Sequence, residues 1–412
     1  MLDKFYSDAR AISRHRAGMF GAYIDGFTTR RSSDGYTLNS VRDDVSTVSR
    51  FGRWLTMRRL PIAAISEKII ADFYGIPHVP TWRQHGSNAA LHVLLAQLRR
   101  AGVSTEAVPP SDPNVVEQLT MEFGRYLREE RSLAEATIVN YCPEVARFIS
   151  GRFGAGSIEL ANLCVADLHS FVSLHARDYS TRRVQLMLTA LRSFLHFLYL
   201  RGDIDSRLDE HVPTAPNWRQ TKLPKYLSDD DIERVLASCD RDSAIGQRDY
   251  AILLLLARFG LRAGEVVSLE LDDIQWETAE ISVCGKGKQR KRFPLPDDVG
   301  EALASYLKNA RRSSPLRRVF LCAKAPYQGL GNSSTLDTIV RNALLRAGLD
   351  PPFKGAHLFR HSLATKMLRN GATLSEIGQI LHHTSPDTTS IYAKVDITGL
   401  RALAQPWPGD RS

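Results

Sequence analysis

The sequence predicts a mainly α-helical protein with a small β-sheet in its C-terminal part, an α+β chain. Three observations carry this. Leu188, Leu191, Leu195, Leu198 and Tyr199 recur at helical spacing. The apolar run in IGQRDYAILLLLARFG (245–260) ends at Gly260, a helix stop. The segments AEISVCG and KRFPLP alternate like strands on either side of the basic stretch GKGKQRK.

With 412 residues, 43% of them hydrophobic, the chain has room for two or three cores. Two Pro-rich stretches without helical period, STEAVPPSDPN (104–114) and HVPTAPNWRQTKLPK (211–225), divide it. The expected parts are an N-terminal helical region over 1–105, a helical domain over 112–206, a linker over 207–225 and a mixed domain over 226–412. The first two parts resemble each other at an offset of about 100 residues. Thr37 and Val45 then fall opposite Thr137 and Val145, and LHVLLAQLRRAG (91–102) opposite LRSFLHFLYLRG (191–202). In the second copy Arg177, Arg182, Arg183, Arg192 and Arg201 interleave on the face opposite the leucines. Singly, each is a solvated side chain; together, Arg182, Arg183 and Arg192 are candidate phosphate contacts.

In the last part, AGEVVSLEL follows Gly260 as a new helix, and the two strands come next. Helices return in TLDTIVRNALLRAG, HLFRHSLATKMLRNG and TLSEIGQILHH. Thr373 and Glu376 form a capping-box pattern, and Ser385, Pro386 and Asp387 read as the start of a last short helix that carries Tyr392.

Lys and Arg outnumber Asp and Glu by 54 to 45, a net +9 with a pI near 9.3, which favours a polyanionic partner only modestly. The five cysteines are widely spread with no CxxC, so reduced thiols in a cytoplasmic setting are expected, without a disulfide framework. Charges run through the first twenty residues, unlike a signal peptide, and AILLLLA (251–257) is far too short to span a bilayer. No membrane partner is expected.

Four places could carry chemistry: GLRAGE (260–265), GKGKQRKR (285–292), HLFRH (357–361) and LHHTSPDTTSIYAKV (381–395). Each alone has a plain structural explanation, from a helix-surface pair at Arg262 and Glu265 to core filler at Tyr392. As a set they suit phosphoryl transfer without a metal. Guanidinium groups match the nonbridging phosphate oxygens and stay charged, while a tyrosine hydroxyl, ordinarily of pKa about 10, needs a base or a positive field to become a nucleophile. His357 and His361 also stand i,i+4, the spacing of a zinc pair, but HLFRH lacks the glutamate of HExxH and Arg360 would repel a cation.

The order and spacing of these residues resemble the tyrosine recombinases, the phage-integrase and Xer-like site-specific DNA recombinases. The match runs GLR (260–262), GKG (285–287), HLFR (357–360), then His383 nine residues before Tyr392, within about residues 115–405. The resemblance implies a helical core-binding domain followed by a catalytic domain. It implies that Arg262 and Arg360 grip the scissile phosphate, that His383 adds a hydrogen bond, and that Tyr392 attacks to leave a 3′-phosphotyrosyl enzyme. Lys286 would protonate the departing 5′-oxygen, His357 would help take the tyrosine proton, and Glu265 would orient its neighbours. Lys288 and Arg290 are expected DNA contacts, with Lys288 the other candidate acid.

The resemblance further implies double-stranded DNA as partner and a homo- or hetero-tetramer on two DNA sites, beside sister recombinases in some cases. It implies no cofactor, no metal and no ATP, and a role in a mobile element or in integration. His382 stands where the family pattern usually has glycine. The N-terminal region would be an extra DNA-binding or subunit-contact module, and the tail with Trp407 would pack on a neighbouring subunit or serve as a local plug. A type IB topoisomerase, a non-catalytic DNA-binding regulator and a transposase with the same nucleophile remain alternatives at this point.

Overall fold

The N-terminal helices form where caps and apolar faces coincide. α1 (Ala9–Arg16) and α2 (Gly21–Ser33) precede α3 (Leu38–Met57), whose N-cap Thr37 accepts from the Ser40 amide. α4 (Glu67–Tyr74) is capped by Ser66, and α5 (Thr81–Arg100) closes the bundle. Phe27, Val41, Val48, Phe51 and Leu98 are fully buried between these helices. The computed structural model describes residues 2–75, 81–104, 114–154, 156–214, 225–285, 290–331, 333–382 and 386–395. They divide into two compact units, one of residues 102–219 and one joining 1–101 with 220–412.

Residues 114–214 repeat the plan. α6 (Val115–Glu129) starts with a capping box between Asn114 and Glu117, and α7 (Glu135–Phe153), α8 (Val165–Ala176) and α9 (Thr181–Arg201) follow. The expected offset of 100 holds for α5 and α9. Ala90, Leu91, Leu94, Leu95 and Leu98 are buried, as are Ala190, Leu191, Phe194, Leu195 and Leu198. Both helices are followed by a glycine of positive φ, +69° at Gly102 and +79° at Gly202.

The offset fails for α3 and α7. Their N-caps are Thr37 and Ala134, and buried Val41, Val48 and Phe51 correspond to Ile138, Val145 and Phe148, a register of 97. Thr137, expected opposite Thr37, lies inside α7. The longer α8, 12 residues against 8 in α4, lies within the part of the chain over which the register passes from 97 to 100.

The expected linker from 207 onward also needs correction. Leu208 and Val212 belong to the core of the middle unit, and Arg192 Nη2 donates to the carbonyls of Val212 (3.1 Å) and Pro213 (3.4 Å).

The C-terminal part is built round one helix. α10 (Asp229–Ala237) leads to α11 (Ala244–Phe259), in which residues 251–257 are all buried. The four leucines 253–256 have at most 1% exposure, so each contributes roughly 1.5–3 kcal/mol of apolar burial. After α12 (Ala263–Ser268) come β1 (Ile274–Gln275), β2 (Glu280–Cys284) and β3 (Arg290–Pro294), an antiparallel sheet in that order with Ile281 opposite Phe293. β2 and β3 are the two expected strands; β1 is an addition.

α13 (Asp297–Ser305) runs into a π-helical turn at Tyr306–Ala310, and α14 (Ser333–Arg346), α15 (Ala356–Arg369) and α16 (Leu374–Ile380) follow. α16 has the expected capping box of Thr373 and Glu376. The described chain ends in α17 (Pro386–Ser390) and a 3-10 turn at Ile391–Val395. Among the described residues no helix is long and apolar enough to cross a membrane.

Candidate active site

Three chain segments meet at the end of α11. Gly260 closes that helix in the left-handed region (φ 60°, ψ 32°), where a side chain would be strained. A Cβ there would also come within 2.9 Å of Leu381 Cδ2 and 3.1 Å of Leu363 Cδ2. Glycine is therefore required twice, by its dihedrals and by the close approach of α15 and the end of α16.

This turn aims the first arginine. Arg262 is the N-cap of α12, and Glu265 holds it at both ends: Oε2 accepts from the Arg262 amide (2.8 Å) and Oε1 from Nη1 (2.9 Å). Nη2 reaches the carbonyl of His382 at 3.3 Å. Glu265 thus orients the guanidinium while leaving a third of the side chain exposed. The second arginine, Arg360 on α15, is 5% exposed. Its Nη1 donates to the Gly260 carbonyl (2.7 Å) and its Nη2 to the Leu381 carbonyl. Burial, and then the charge of Arg262, pull its pKa down to about 10, so it remains a cation at neutral pH. Two guanidiniums near enough to repel, with Glu265 the carboxylate beside them, make a local positive field that favours an anion.

Tyr392 is 1% exposed and packs with Ala364, Ile377 and Leu381. Its hydroxyl shares a 2.9 Å hydrogen bond with Nδ1 of His361, whose ring lies edge-on to the phenol. Burial pushes the Tyr392 pKa up to about 12, with Arg360 opposing. Burial, then His357 and Arg360, pull His361 down to about 4. Burial thus disfavours the tyrosinate and the imidazolium alike, so passing the phenolic proton to His361 runs uphill. In this arrangement His361 is neutral and holds a protonated tyrosine. Thr389 presses α17 onto α16 at Gly378, where a Cβ would lie 3.1 Å from Thr389 Oγ1.

His357 lies one turn before His361 on α15, with ring centroids 6.3 Å apart. His382 has φ +52°, which accounts for the glycine usual at this place in the pattern; histidine is among the residues that tolerate the left-handed region. Its ring packs edge-on against Phe293 of β3 at 4.9 Å, and its buried Nε2 has no hydrogen-bond partner among the described residues.

The structure thus brings together Arg262, Glu265, Arg360 and Tyr392, with His357 on the same helix as Arg360. Lys286, Lys288 and His383 lie outside the described residues, as does the tail with Trp407. Arg290 begins β3, exposed, with Nη1 3.4 Å from Asp273. In the middle unit Arg183 is ion-paired with buried Glu144, Arg192 is bound to main-chain carbonyls, and Arg182 is exposed at the start of α9. Among the described residues no three His, Cys, Asp or Glu side chains gather as for a metal ion. The residue that sequence reading missed is His361. Its one signal there was the i,i+4 spacing from His357, which reads equally as a metal pair.

Comparison with known proteins agrees with this geometry. The phage integrase family matches residues 225–398, and the phage integrase N-terminal SAM-like domain matches 121–202. Protein y4rA of Sinorhizobium fredii, a candidate integrase/recombinase, is 45% identical over 97% of both chains. The tyrosine recombinase XerD of Listeria monocytogenes is 32% identical over 67% of this chain and 94% of its own. Two solved structures share the fold. The XerH site-specific recombinase bound to its difH substrate has a TM-score of 0.55 at 20% identity, over 73% of this chain and 99% of that one. The Tn1549 transposon integrase with circular-intermediate DNA has a TM-score of 0.51 at 15% identity, over 70% and 99%. The chain belongs to the phage-integrase family of tyrosine recombinases, enzymes that cleave and rejoin DNA strands.

Proposed function

We propose that this recombinase acts through Tyr392 as nucleophile, with Arg262 and Arg360 gripping the scissile phosphate, and that it serves a mobile element. The observation that carries the reading is the meeting of both guanidiniums and the buried phenol where the end of α11, α15 and the end of α16 converge. Tyr392 Oη forms the new bond to phosphorus, and the bond to the 5′-oxygen breaks. The product is a 3′-phosphotyrosyl enzyme and a free 5′-hydroxyl, so the ester is conserved for rejoining and no ATP is needed. The arginines stabilise charge on the pentacoordinate phosphorus, a contribution of about 10²–10³ in rate per donor. Lys286 gives the leaving oxygen its proton, His357 takes the phenolic one, and His383 adds a hydrogen bond to the phosphate.

The buried, protonated tyrosine sets a condition on this chemistry. At 1% exposure Tyr392 touches no solvent, so α17 and the turn after it must shift for Oη to reach a phosphate. That shift relieves the burial that holds the phenol's pKa up, and leaves the charge of Arg360 to lower it. The family's assembly on DNA, here a tetramer on two sites, is the event expected to drive it.

A nicked suicide duplex carrying the element's end tests the reading. The wild-type chain should form a covalent protein–DNA adduct, and Tyr392→Phe should form none while still binding the duplex. An adduct that persists in Tyr392→Phe sinks the assignment. A two-site assay separates strand exchange from simple relaxation: joint products support a recombinase, and relaxed circles alone would identify a topoisomerase.

A further inference from the structure

The N-terminal bundle lies outside both family matches, which begin at residue 121. Its four helices α2–α5 nevertheless follow the plan of α6–α9. The likeness extends to a 3-10 turn before the third helix, at Ile62–Ala64 in one and Leu160–Asn162 in the other. After each turn the buried positions coincide: Ile65 with Leu163, Ile70 with Leu168 and Phe73 with Phe171, all in register 98. Residues 21–100 thus repeat the four-helix plan of the segment that the SAM-like model matches.

The two copies differ sharply in charge. Residues 1–101 carry 15 Lys and Arg against 8 Asp and Glu, a net +7. Residues 102–219 carry 12 against 15, a net −3. The copy outside the family matches is thus the more basic of the two, while residues 220–412 carry 27 Lys and Arg against 22 Asp and Glu, a net +5.

Five of the bundle's fifteen cations lie on α3 or directly after it, beside Asp43 and Asp44. Arg42, Arg50 and Arg53 lie on α3, and Arg58 and Arg59 follow directly after it. None of the five is paired with a carboxylate among the described residues, although four other cations of this bundle are: Arg16, Arg30, Arg31 and Arg99. Arg42, Arg53, Arg58 and Arg59 are exposed, and Arg50 is half-buried. Arg42 and Arg53 stand eleven residues apart, three turns along one face, with Ser46 and Ser49 between them. In the middle copy the register puts Val139 and Ser150 at the places of Arg42 and Arg53, and the two arginines present, Arg147 and Arg152, are ion-paired with Glu144 and Asp167.

An α3 of 20 residues is about 30 Å long, the axial length of roughly nine base pairs at 3.4 Å each. Guanidiniums without a carboxylate partner along such a length, with serine hydroxyls between, match the spacing and chemistry of a phosphate backbone, although Arg42 also donates to the Phe5 carbonyl and Arg58 lies over Trp54. We propose that residues 1–101 are a second duplex-DNA-binding module, which anchors the recombinase to the sugar-phosphate backbone through the α3 arginine strip, independent of base sequence.

The inference rests on the reading of the chain as a DNA-acting enzyme, and its test is separate from the adduct assay. In the full-length chain Arg53→Gln, Arg58→Gln and Arg59→Gln are combined, and affinity for a random-sequence duplex is measured against salt concentration. A matched triple, Arg16→Gln, Arg30→Gln and Arg99→Gln, removes equal charge from the ion-paired arginines of the same bundle. The strip variant should keep its melting temperature and lose about 2–3 units of the log–log salt slope, near 0.9 for each phosphate contact. The matched triple should lose less. Unchanged affinity and slope in the strip variant would overturn the proposal. So would equal losses in both triples, which would reduce the effect to net charge, or unchanged duplex binding with altered sedimentation, which would mark a subunit contact. If the wild-type chain forms no adduct but the strip effect persists, the catalytic reading fails and the module stands.

Discussion

Arginine is placed in opposite ways in the candidate active site and in the N-terminal bundle. Arg360 is buried, and Gly260 and Leu381 carbonyls hold its guanidinium before any substrate arrives. On α3, Arg53 is exposed and has no carboxylate partner among the described residues. The first arrangement bears its desolvation cost during folding and offers a fixed donor, the kind of preorganisation that lowers a barrier. The second leaves the side chains solvated, and under the proposed backbone contact their energy would come from counterion release on binding. Buried arginines should therefore govern the rate of cleavage with little salt dependence, and exposed ones should govern salt-dependent affinity with little effect on rate.

The largest effect is expected at Arg360. Replacement by Ala removes the proposed phosphate donor and leaves two buried carbonyls without their partner, so single-turnover cleavage should fall by about 10³ and stability by about 2 kcal/mol. Arg360→Lys keeps the charge but cannot bridge both carbonyls as a planar fork, and should recover stability better than rate. If Arg360→Ala cleaved at the wild-type rate, the pocket would have lost its central donor and the contrast with α3 would collapse.

Arg262→Ala comes next. Its guanidinium is one-third exposed, and Glu265 would still accept from the residue 262 amide, so the helix cap survives. Cleavage should drop by about 10²–10³ while stability changes by no more than about 1 kcal/mol. Comparing the two variants by melting temperature and by rate separates how deeply an arginine is buried from how much it does for the chemistry. Equal stability losses would mean that burial is not what distinguishes them.

These features were legible in the sequence to very different degrees. Gly260 announced itself as a helix stop, Thr373 and Glu376 as a capping box, and the strands flanking GKGKQRK by their alternation, because each signal is local. β1 has two residues, too few to show a period. The repeat was visible in α5 and α9, where the offset is constant, but three residues of difference between the copies hid the true register of α3 and α7. Arg192 looked like a phosphate contact because periodicity reports a face and not its neighbours; Val212 and Pro213, some twenty residues on, take up its donors. The pairing of His361 with Tyr392 spans 31 residues and depends on how α15, α16 and α17 pack, which no local pattern encodes.

That pairing yields a prediction between the two extremes. The His361 pKa is about 4 in the folded chain against an ordinary 6.5, so between these values the unfolded chain takes up a proton that the folded one refuses. Stability should accordingly fall as pH drops from about 6.5 to about 4, by at most about 3 kcal/mol for this group. Urea unfolding across that window should show the loss, and His361→Gln should reduce it, with the smaller share due to His15 and His382 remaining, since both are also held below their ordinary pKa. Gln can still hydrogen-bond the phenol, so the variant should keep Tyr392 stowed at neutral pH. An acid sensitivity as large in His361→Gln as in the wild type would show that burial of this histidine contributes little.

The smallest effect is expected from single substitutions in the two bundles, and it discriminates most finely between them. Arg53→Gln on α3 breaks no ion pair, so the melting temperature should stay put while the salt slope for duplex binding falls by about 0.9. Arg147→Gln on α7 removes one of the two arginines paired with fully buried Glu144, leaving that carboxylate to Arg183 alone. A buried carboxylate with less compensation is costly, so this variant should melt earlier while its salt slope shifts less than that of Arg53→Gln. The two arginines lie on corresponding helices of one repeated fold, three residues apart in register. A reversed outcome, with Arg53→Gln melting early and Arg147→Gln carrying the salt dependence, would mean that DNA grips the middle copy through arginines that let go of their carboxylates, and that the free strip on α3 has another use.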